Sequence, residues 1–372
     1  MRTAIVSDLH LSSGFGEDLL RDEAIRRLLL EEIAAADRLV LLGDVVELRE
    51  RPLSVALQSA RRFFQELGEA MAGRQVVLIP GNHDHRLAEP LLEEAALAGL
   101  PLGLEQHTAT SEQTISLIAG WLGSAELDLA YPGIWLRDDV YATHGHYMDC
   151  HMRLPRLECV AAAVVMRGFG PLPAPAAPAD YERMLRPVYG LSFSLAQSGM
   201  AQRATRPSER AWRAISRRNG ARGHARRAAL RAAAGAGIPA TVWGLNRLLR
   251  ADFDADLSPT SIAGSGIAAA TELAERLGVR ASHVITGHTH RGGPADGEAE
   301  WLLPSGGNLH NTGSWVFASA FHHPGTPPGP YWPGTVTWLE GGAAPRRVRL
   351  LAEHRREDLQ ATVDRLASRR DV

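Results

Sequence analysis

The sequence predicts a mixed α/β fold that carries its working residues on loops, and three observations lead there. Five short apolar runs each end, within a residue or two, on aspartate, asparagine or histidine. Segments with apolar residues at helical spacing separate the first three runs. Closely spaced short strand candidates with turn residues follow in the middle and near the end of the chain, as antiparallel additions do.

Ala4-Ile5-Val6 is the first run and leads into Asp8 and His10. Ile25, Leu28, Leu29 and Ile33 then form one apolar face, with arginines and glutamates opposite, which predicts an amphipathic helix. Leu39-Val40-Leu41-Leu42 leads into Gly43-Asp44, and Ala60, Phe63, Phe64, Leu67 and Met71 predict a second helix. Val76-Val77-Leu78-Ile79 leads into Gly81-Asn82-His83-Asp84. Strand-helix-strand-helix-strand implies parallel strands with right-handed crossovers. From about Thr114 to Thr143 short strands are expected, broken by turns such as Tyr131-Pro132-Gly133. Val140-Tyr141-Ala142 leads into His144-Gly145-His146, and a helix from Ala268 to Leu277 precedes His283-Val284-Ile285 and Gly287-His288-Thr289-His290. Further short strands are expected near Trp301–Leu303, Val316–Ala318, Thr335–Leu339 and Arg347–Leu351, then a closing amphipathic helix from Arg356 to Arg369. Glycine-bounded, β-branched and leucine-rich runs read as buried strands, and in open α/β sheets functional residues collect beyond the carboxyl ends of such strands. All five sets are therefore expected to line one crevice.

The segment from Asp149 to Ser261 breaks this rhythm. Its run Pro171 to Pro178 cannot be regular helix, and Pro207-Ser208-Glu209 resembles a helix start. Arg203, Arg206, Arg210, Arg213, Arg217, Arg218, Arg222, Arg226, Arg227 and Arg231 follow closely, with Glu209 nearly alone in opposition. Three readings apply: a solvated helix face, guanidinium groups gripping further phosphates of a substrate, or a surface for anionic lipid or nucleic acid. The predicted organisation is a discontinuous core at 1–148 and 262–352, a largely helical arginine-rich insertion or lid at 149–261, and a C-terminal helix at 353–372.

Composition narrows the classes. At 372 residues the chain calls for one large domain with an insertion, or two domains. Hydrophobic content of 45% and charged content of 22% argue against global disorder. A net charge of -2 gives no global pull toward nucleic acid or membrane. The chain contains no lysine, so every basic side chain is arginine, as a coding bias would produce. Met1 to Ala4 run straight into a strand without a signal-peptide core, and the longest nearly apolar stretch, Cys159 to Met166, is too short to span a bilayer. Cys150 and Cys159 carry no CxxC spacing. A soluble cytoplasmic protein is expected.

Carboxylate and amide oxygens together with imidazole nitrogens suit borderline divalent ions such as Mn, Fe, Zn or Co. Asp8-Leu9-His10, Gly43-Asp44, Gly81-Asn82-His83-Asp84, His144 and Gly287-His288-Thr289-His290 resemble the full signature of the calcineurin-like metallophosphoesterases. The resemblance covers roughly the first 150 residues and the region from about 265 to 320. It implies an α/β sandwich of two mixed sheets flanked by helices, and two divalent metal ions, Mn foremost.

By the same resemblance Asp8, His10 and His290 would hold one metal, Asn82, His144 and His288 the other, and Asp44 would bridge them. The two ions would share a hydroxide that attacks a phosphodiester or pyrophosphate bond. His83 would stabilise the transition state or protonate the leaving oxygen, with Asp84 fixing its ring. The D-x-H spacing is expected to work through an extended segment, whose alternate residues share a side. His146 competes with His144 for the ligand position, but the family's His-Gly pattern favours His144. Asp149 and His151 are either contacts near the site or a polar loop, His85 a solvated neighbour, Asn311-Thr312-Gly313-Ser314 a structural turn, and the two cysteines buried thiols.

The implied partner is a phosphoester substrate: a nucleotide, a sugar-nucleotide or a lipid-linked ester. Peripheral contact with an anionic membrane through the arginine-rich segment is carried as an expectation, and nucleic acid is not. The insertion after His144 is similar to the lid of the UDP-2,3-diacylglucosamine pyrophosphatases, although those enzymes are shorter and carry arginine where this chain has His83. The Gly-Asn-His-Asp form is also that of cyclic-nucleotide phosphodiesterases. A phosphomonoesterase and a non-catalytic scaffold on the same fold are the alternative readings. Complete ligand positions weigh against the scaffold, because buried carboxylates and histidines are costly to keep unpaired.

Overall fold

A computed structural model describes residues 1–13, 17–108, 112–198, 239–295, 297–322 and 328–368. The arginine-dense stretch and the helix start at Pro207 lie outside the described residues. The strands are β1 (Arg2–Val6), β2 (Arg38–Leu42), β3 (Gln75–Ile79), β4 (Glu105–Thr108), β5 (Glu126–Arg137), β6 (Val140–Thr143), β7 (His283–Thr286), β8 (Trp301–Leu302), β9 (Asn308–Asn311), β10 (Thr335–Glu340) and β11 (Arg346–Arg349). They form one continuous sheet in the order β11-β10-β1-β2-β3-β5-β6-β7-β9-β8, with β4 also on β5. β1, β2, β3 and β5 run parallel, as do β6, β7 and β9.

The long strand β5 turns this sheet into two packed halves. Its first part pairs with β3 and β4 and its second part with β6. Pro132 and Gly133 sit where the partners change, because Pro132 faces Glu105 of β4 and Gly133 faces Thr143 of β6. The expected turn at Tyr131-Pro132-Gly133 is therefore corrected to the interior of a single strand. Gly133 is required there: a Cβ would lie 2.3 Å from the Tyr141 hydroxyl.

Alternation along the strands produces the layers. Ile5, Val40, Leu42, Val77 and Ile79 face Ile134, Leu136, Ala142 and Ile285 in a core between the two halves. The opposite faces, including Val6, Leu39, Leu41, Val76 and Leu78, bury the apolar stripes of α1 (Glu23–Ile33), α2 (Leu53–Ala70), α4 (Gln113–Leu122) and α8 (Arg356–Ser368). Tyr141, Val284 and Leu309, on the outer face of the second half, pack against α5 (Leu157–Phe169), α6 (Pro178–Gln197) and α7 (Pro259–Arg276). α3 (Glu89–Leu97) adds Leu91 and Leu92 to this layer. The result is an α-β-β-α sandwich.

Both helices read between the first three strands are present, as is the closing helix. Residues 170–177 are not helical, and α6 begins at Pro178, which fits a proline at the first helical position. Val316–Ala318 is corrected from a strand to a single bridge between Asp18 and Val316. The strand β9, with the polar text Asn308-Leu309-His310-Asn311, was not legible because only Leu309 marks its buried face.

Candidate metal centre

The five strand-end motifs meet at one edge of the sandwich, because β1, β2, β3, β6 and β7 all end there. Local backbone geometry does the aiming. Asp8, His10, Asp44, His288 and His290 have φ of 55°, 44°, 52°, 66° and 59°. Left-handed φ is rare outside glycine and costs on the order of 1–3 kcal/mol per residue, so such strain collects where function over-determines it. The extended-segment account of Asp8 and His10 is thus corrected: each is turned inward by a left-handed kink. Glycines make room beside them. A Cβ on Gly81 would lie 2.3 Å from Asp44 Oδ1, and one on Gly43, at φ +83°, would lie 2.3 Å from the His144 ring.

Among the described residues three overlapping donor groups share this space, one of them made of His10, Asp44 and His83. His10 Nε2 and His290 Nε2 are 3.1 Å apart, and His290 Nε2 is 3.2 Å from Asp8 Oδ1. His144 Nε2 is 3.3 Å and His10 Nε2 3.7 Å from Asp44 Oδ2, which puts that carboxylate between the groups. Asn82 Oδ1 lies 3.1 Å from His288 Nδ1 on the far side. The donor atoms of Asp8, His10 and His290 lie within 4.8 Å of one another, and so do those of Asp44, His144 and His288.

The opposite ring nitrogens are held from behind. His10 Nδ1 is 3.0 Å from Glu47 Oε2, His144 Nδ1 is 2.9 Å from the Leu42 carbonyl, and His288 Nε2 is 2.9 Å from Asp149 Oδ1. A histidine that binds metal through one nitrogen usually donates its other N–H to such an acceptor. Asn311 Nδ2 donates to the Gly287 carbonyl at 2.6 Å, and Ser7 joins Asp8 to Thr312, so the Asn311–Ser314 turn braces both ligand loops.

The residues fit a pair of cations. Asp8 Oδ1 is buried and, apart from His290 Nε2 at 3.2 Å, has no hydrogen-bond partner among the described residues. With its carbonyl oxygen inward, Asn82 faces Asp44 Oδ2 and His288 Nδ1; turned over, its NH2 would donate to them at 3.2 and 3.1 Å while Arg49 donates to its oxygen at 2.8 Å. A bound cation favours the oxygen inward, and its removal favours the nitrogen. The charges agree. Burial alone would raise Asp44 and Asp8, yet the surrounding imidazoles hold both carboxylates below their usual range. Burial alone would lower His10, but the Glu47 hydrogen bond and nearby carboxylates push it to about 9. Asp44 and Asp8 likewise lift His144 to about 10 against its burial. The pocket is built for positive charge.

His83 is partly exposed in a cleft of about 260 Å³ that also contains His10, Asp44, Asn82, His288 and His290. Its Nδ1 is 2.6 Å from Glu47 Oε2, and its backbone N–H donates to Asp44 Oδ1 at 2.8 Å. Glu47, not Asp84, orients the ring. Asp84 is fully buried and accepts from the N–H groups of Gly81, Asp44, Val45 and Val46, so it ties two ligand loops together. Burial and the Asp44 charge raise its pKa to about 6.

His146 is 3.0 Å from the Tyr131 hydroxyl and does not face Asp44 as His144 does. His151 reaches Tyr181 instead of the centre. The expectation of a solvated His85 is corrected: it is buried, with Nε2 3.0 Å from Glu182 of α6. Cys159 is buried and Cys150 partly so, and burial raises both thiols. Glu47 was missed, although a lone carboxylate between Val45-Val46 and Leu48 was a visible signal. Arg49, paired with Glu158 of α5 at 2.8 Å, had no such signal.

Strand-end nitrogen and oxygen donors on an α-β-β-α sandwich define a class of metal-dependent hydrolase. Residues 1–162 match the family model of calcineurin-like phosphoesterases. Its members are metal-dependent phosphoesterases that use two metals. No curated protein matches the chain. Among the described residues no helix is long and apolar enough to cross a membrane.

Proposed function

We propose that this protein hydrolyses a phosphodiester or pyrophosphate bond with two divalent cations, Mn foremost, held by seven side chains. Asp8, His10 and His290 would hold one cation and Asn82, His144 and His288 the other, with Asp44 standing between the two donor groups. The observation that carries this reading is the fixing of His10, His144 and His288 from behind by Glu47, Leu42 and Asp149, which leaves their opposite nitrogens turned to the centre. When bound, such a pair supplies charge that polarises a phosphoryl group and lowers the pKa of water.

The chain's own groups do the rest. Glu47 on His83 Nδ1 leaves Nε2 to donate to a phosphoryl or leaving oxygen. Asp84 holds the Asp44 and Gly81 loops in register. The cleft continues beyond the centre to Arg156 and Glu158, which provides room for a second substituent on phosphorus and favours diester over monoester. In this proposal residues 149–261 are a lid on a core of 1–148 and 262–352, and the substrate is a nucleotide, sugar-nucleotide or lipid-linked ester.

The test is metal analysis together with hydrolysis of bis(p-nitrophenyl) phosphate and p-nitrophenyl phosphate in Mn. Asp44→Asn is expected to lose metal and turnover together. His83→Ala is expected to lose turnover with both metals retained, and depleted metal in that variant refutes its assignment. A metal-free, inert wild type would return the scaffold reading.

A further inference from the structure

Beside the cleft lies a narrow slot of about 30 Å³ between α7 and the loop after β7, with Met152, Ile262, Ile267 and Leu309 in its walls. Among the described residues Arg156 is the one common to both linings. Among the described residues it has no ion-pair partner within 4 Å: neighbouring Glu158 is engaged by Arg49. Arg291, directly after His290, lines the slot and is only 9% exposed. Its Nη2 donates to Glu298 at 2.7 Å and its guanidinium lies 4.8 Å from the Trp301 ring centroid, but Nη1 is buried with no hydrogen-bond partner among the described residues. Tyr331 lies within electrostatic reach of both arginines, whose charges oppose the rise that burial imposes on its phenol.

A buried guanidinium N–H without an acceptor is costly, on the order of 1–3 kcal/mol, unless a ligand completes it. Guanidinium forks match phosphate oxygens in both charge and shape. The slot has the volume of about one water, so a phosphate fits only at its junction with the cleft, where Arg156 stands. We propose that Arg156 and Arg291 form a subsite for a second phosphate group of the substrate, at the junction of the cleft and the slot. This rests on the phosphoesterase reading and adds to it that the preferred substrate carries two phosphorus anions, one at the metals and one at the arginines.

The test compares two diesters that differ only in a terminal phosphonate, p-nitrophenyl propyl phosphate and p-nitrophenyl 3-phosphonopropyl phosphate, on the Mn-loaded full chain. Wild type is expected to favour the phosphonate at least about tenfold in kcat/KM, mainly through KM. That ratio is expected to fall to near one in Arg156→Gln and in Arg291→Gln, with part regained in Arg291→Lys. Arg156 is solvent-facing, so its variant tests the idea even if loss of Arg291 unsettles the fold. An unchanged ratio in both variants, or no preference in wild type, overturns the subsite. If wild type cleaves neither diester, the phosphoesterase reading fails separately. The subsite is then judged by calorimetric titration with propane-1,3-bisphosphonate: weaker binding in both glutamine variants supports it, and equal binding overturns it.

Discussion

Glu47→Gln isolates the role of a carboxylate that touches two functional histidines at once. Glu47 is 1% exposed, and its Oε2 receives His83 Nδ1 at 2.6 Å and His10 Nδ1 at 3.0 Å, while Oε1 accepts the Arg49 N–H at 3.0 Å. Glutamine has nearly the same shape and no charge. If its NH2 faces the histidines, both Nδ1 atoms must become acceptors, which moves a proton to His10 Nε2 and blocks the nitrogen that faces the centre. If its oxygen faces them, the NH2 meets the Arg49 N–H as donor against donor. Either way a charge-assisted hydrogen bond is lost, worth about 1.5–3 kcal/mol, or about 10- to 150-fold. Loss of a group that orients a metal ligand typically costs about 10- to 100-fold in affinity or activity. Turnover of bis(p-nitrophenyl) phosphate, followed across a Mn titration with metal content measured in parallel, should fall by that range and need more Mn for saturation. Activity within threefold of wild type at equal metal content would refute the reasoning.

Two further outcomes are expected. In metal-free protein His10 and His144 bind protons more tightly than in the unfolded chain, with pKa values raised from 6.5 to about 9 and about 10. Their contribution to stability is full below the unfolded value and is lost as pH rises through 9 to 10. Divalent ions displace these protons, so Mn affinity should rise between pH 6 and 9 with measurable proton release in weak buffer; pH-independent binding without release would contradict the assignment.

Asp18 is the opposite case, an acid raised from 3.8 to about 7 chiefly by burial, with Oδ2 accepting from the Ser12 N–H at 2.8 Å and Oδ1 without a hydrogen-bond partner among the described residues. The folded state binds its proton more tightly, so stability should rise as pH falls from about 7 toward 3.8. Asp18→Asn should stabilise the protein by on the order of 1–3 kcal/mol at pH 8 and much less near pH 4, read by denaturant melts; equal effects at both would exclude this origin.

What was legible in the text was everything encoded over a few neighbouring residues. The apolar runs at Ala4, Leu39, Val76, Val140 and His283 announce buried strands, and the polar groups that follow them announce the crevice, because strand, turn and ligand are consecutive. The periodic stripes of α1 and α2 belong to the same class of signal. Tertiary structure decided the rest. Only the pairing order of β5 shows that Tyr131-Pro132-Gly133 is the interior of a strand, because a proline-glycine pair reads locally as a turn. Only the approach of the β2 loop to the β3 loop puts Glu47 on His83 and takes Asp84 away from it. Asp149 reaches His288 across 139 positions, and Arg156, Arg291 and Tyr331 line one slot although they are far apart in the chain. A carboxylate's partner is set by which loop folds over it, and a sequence records that only after the chain has closed.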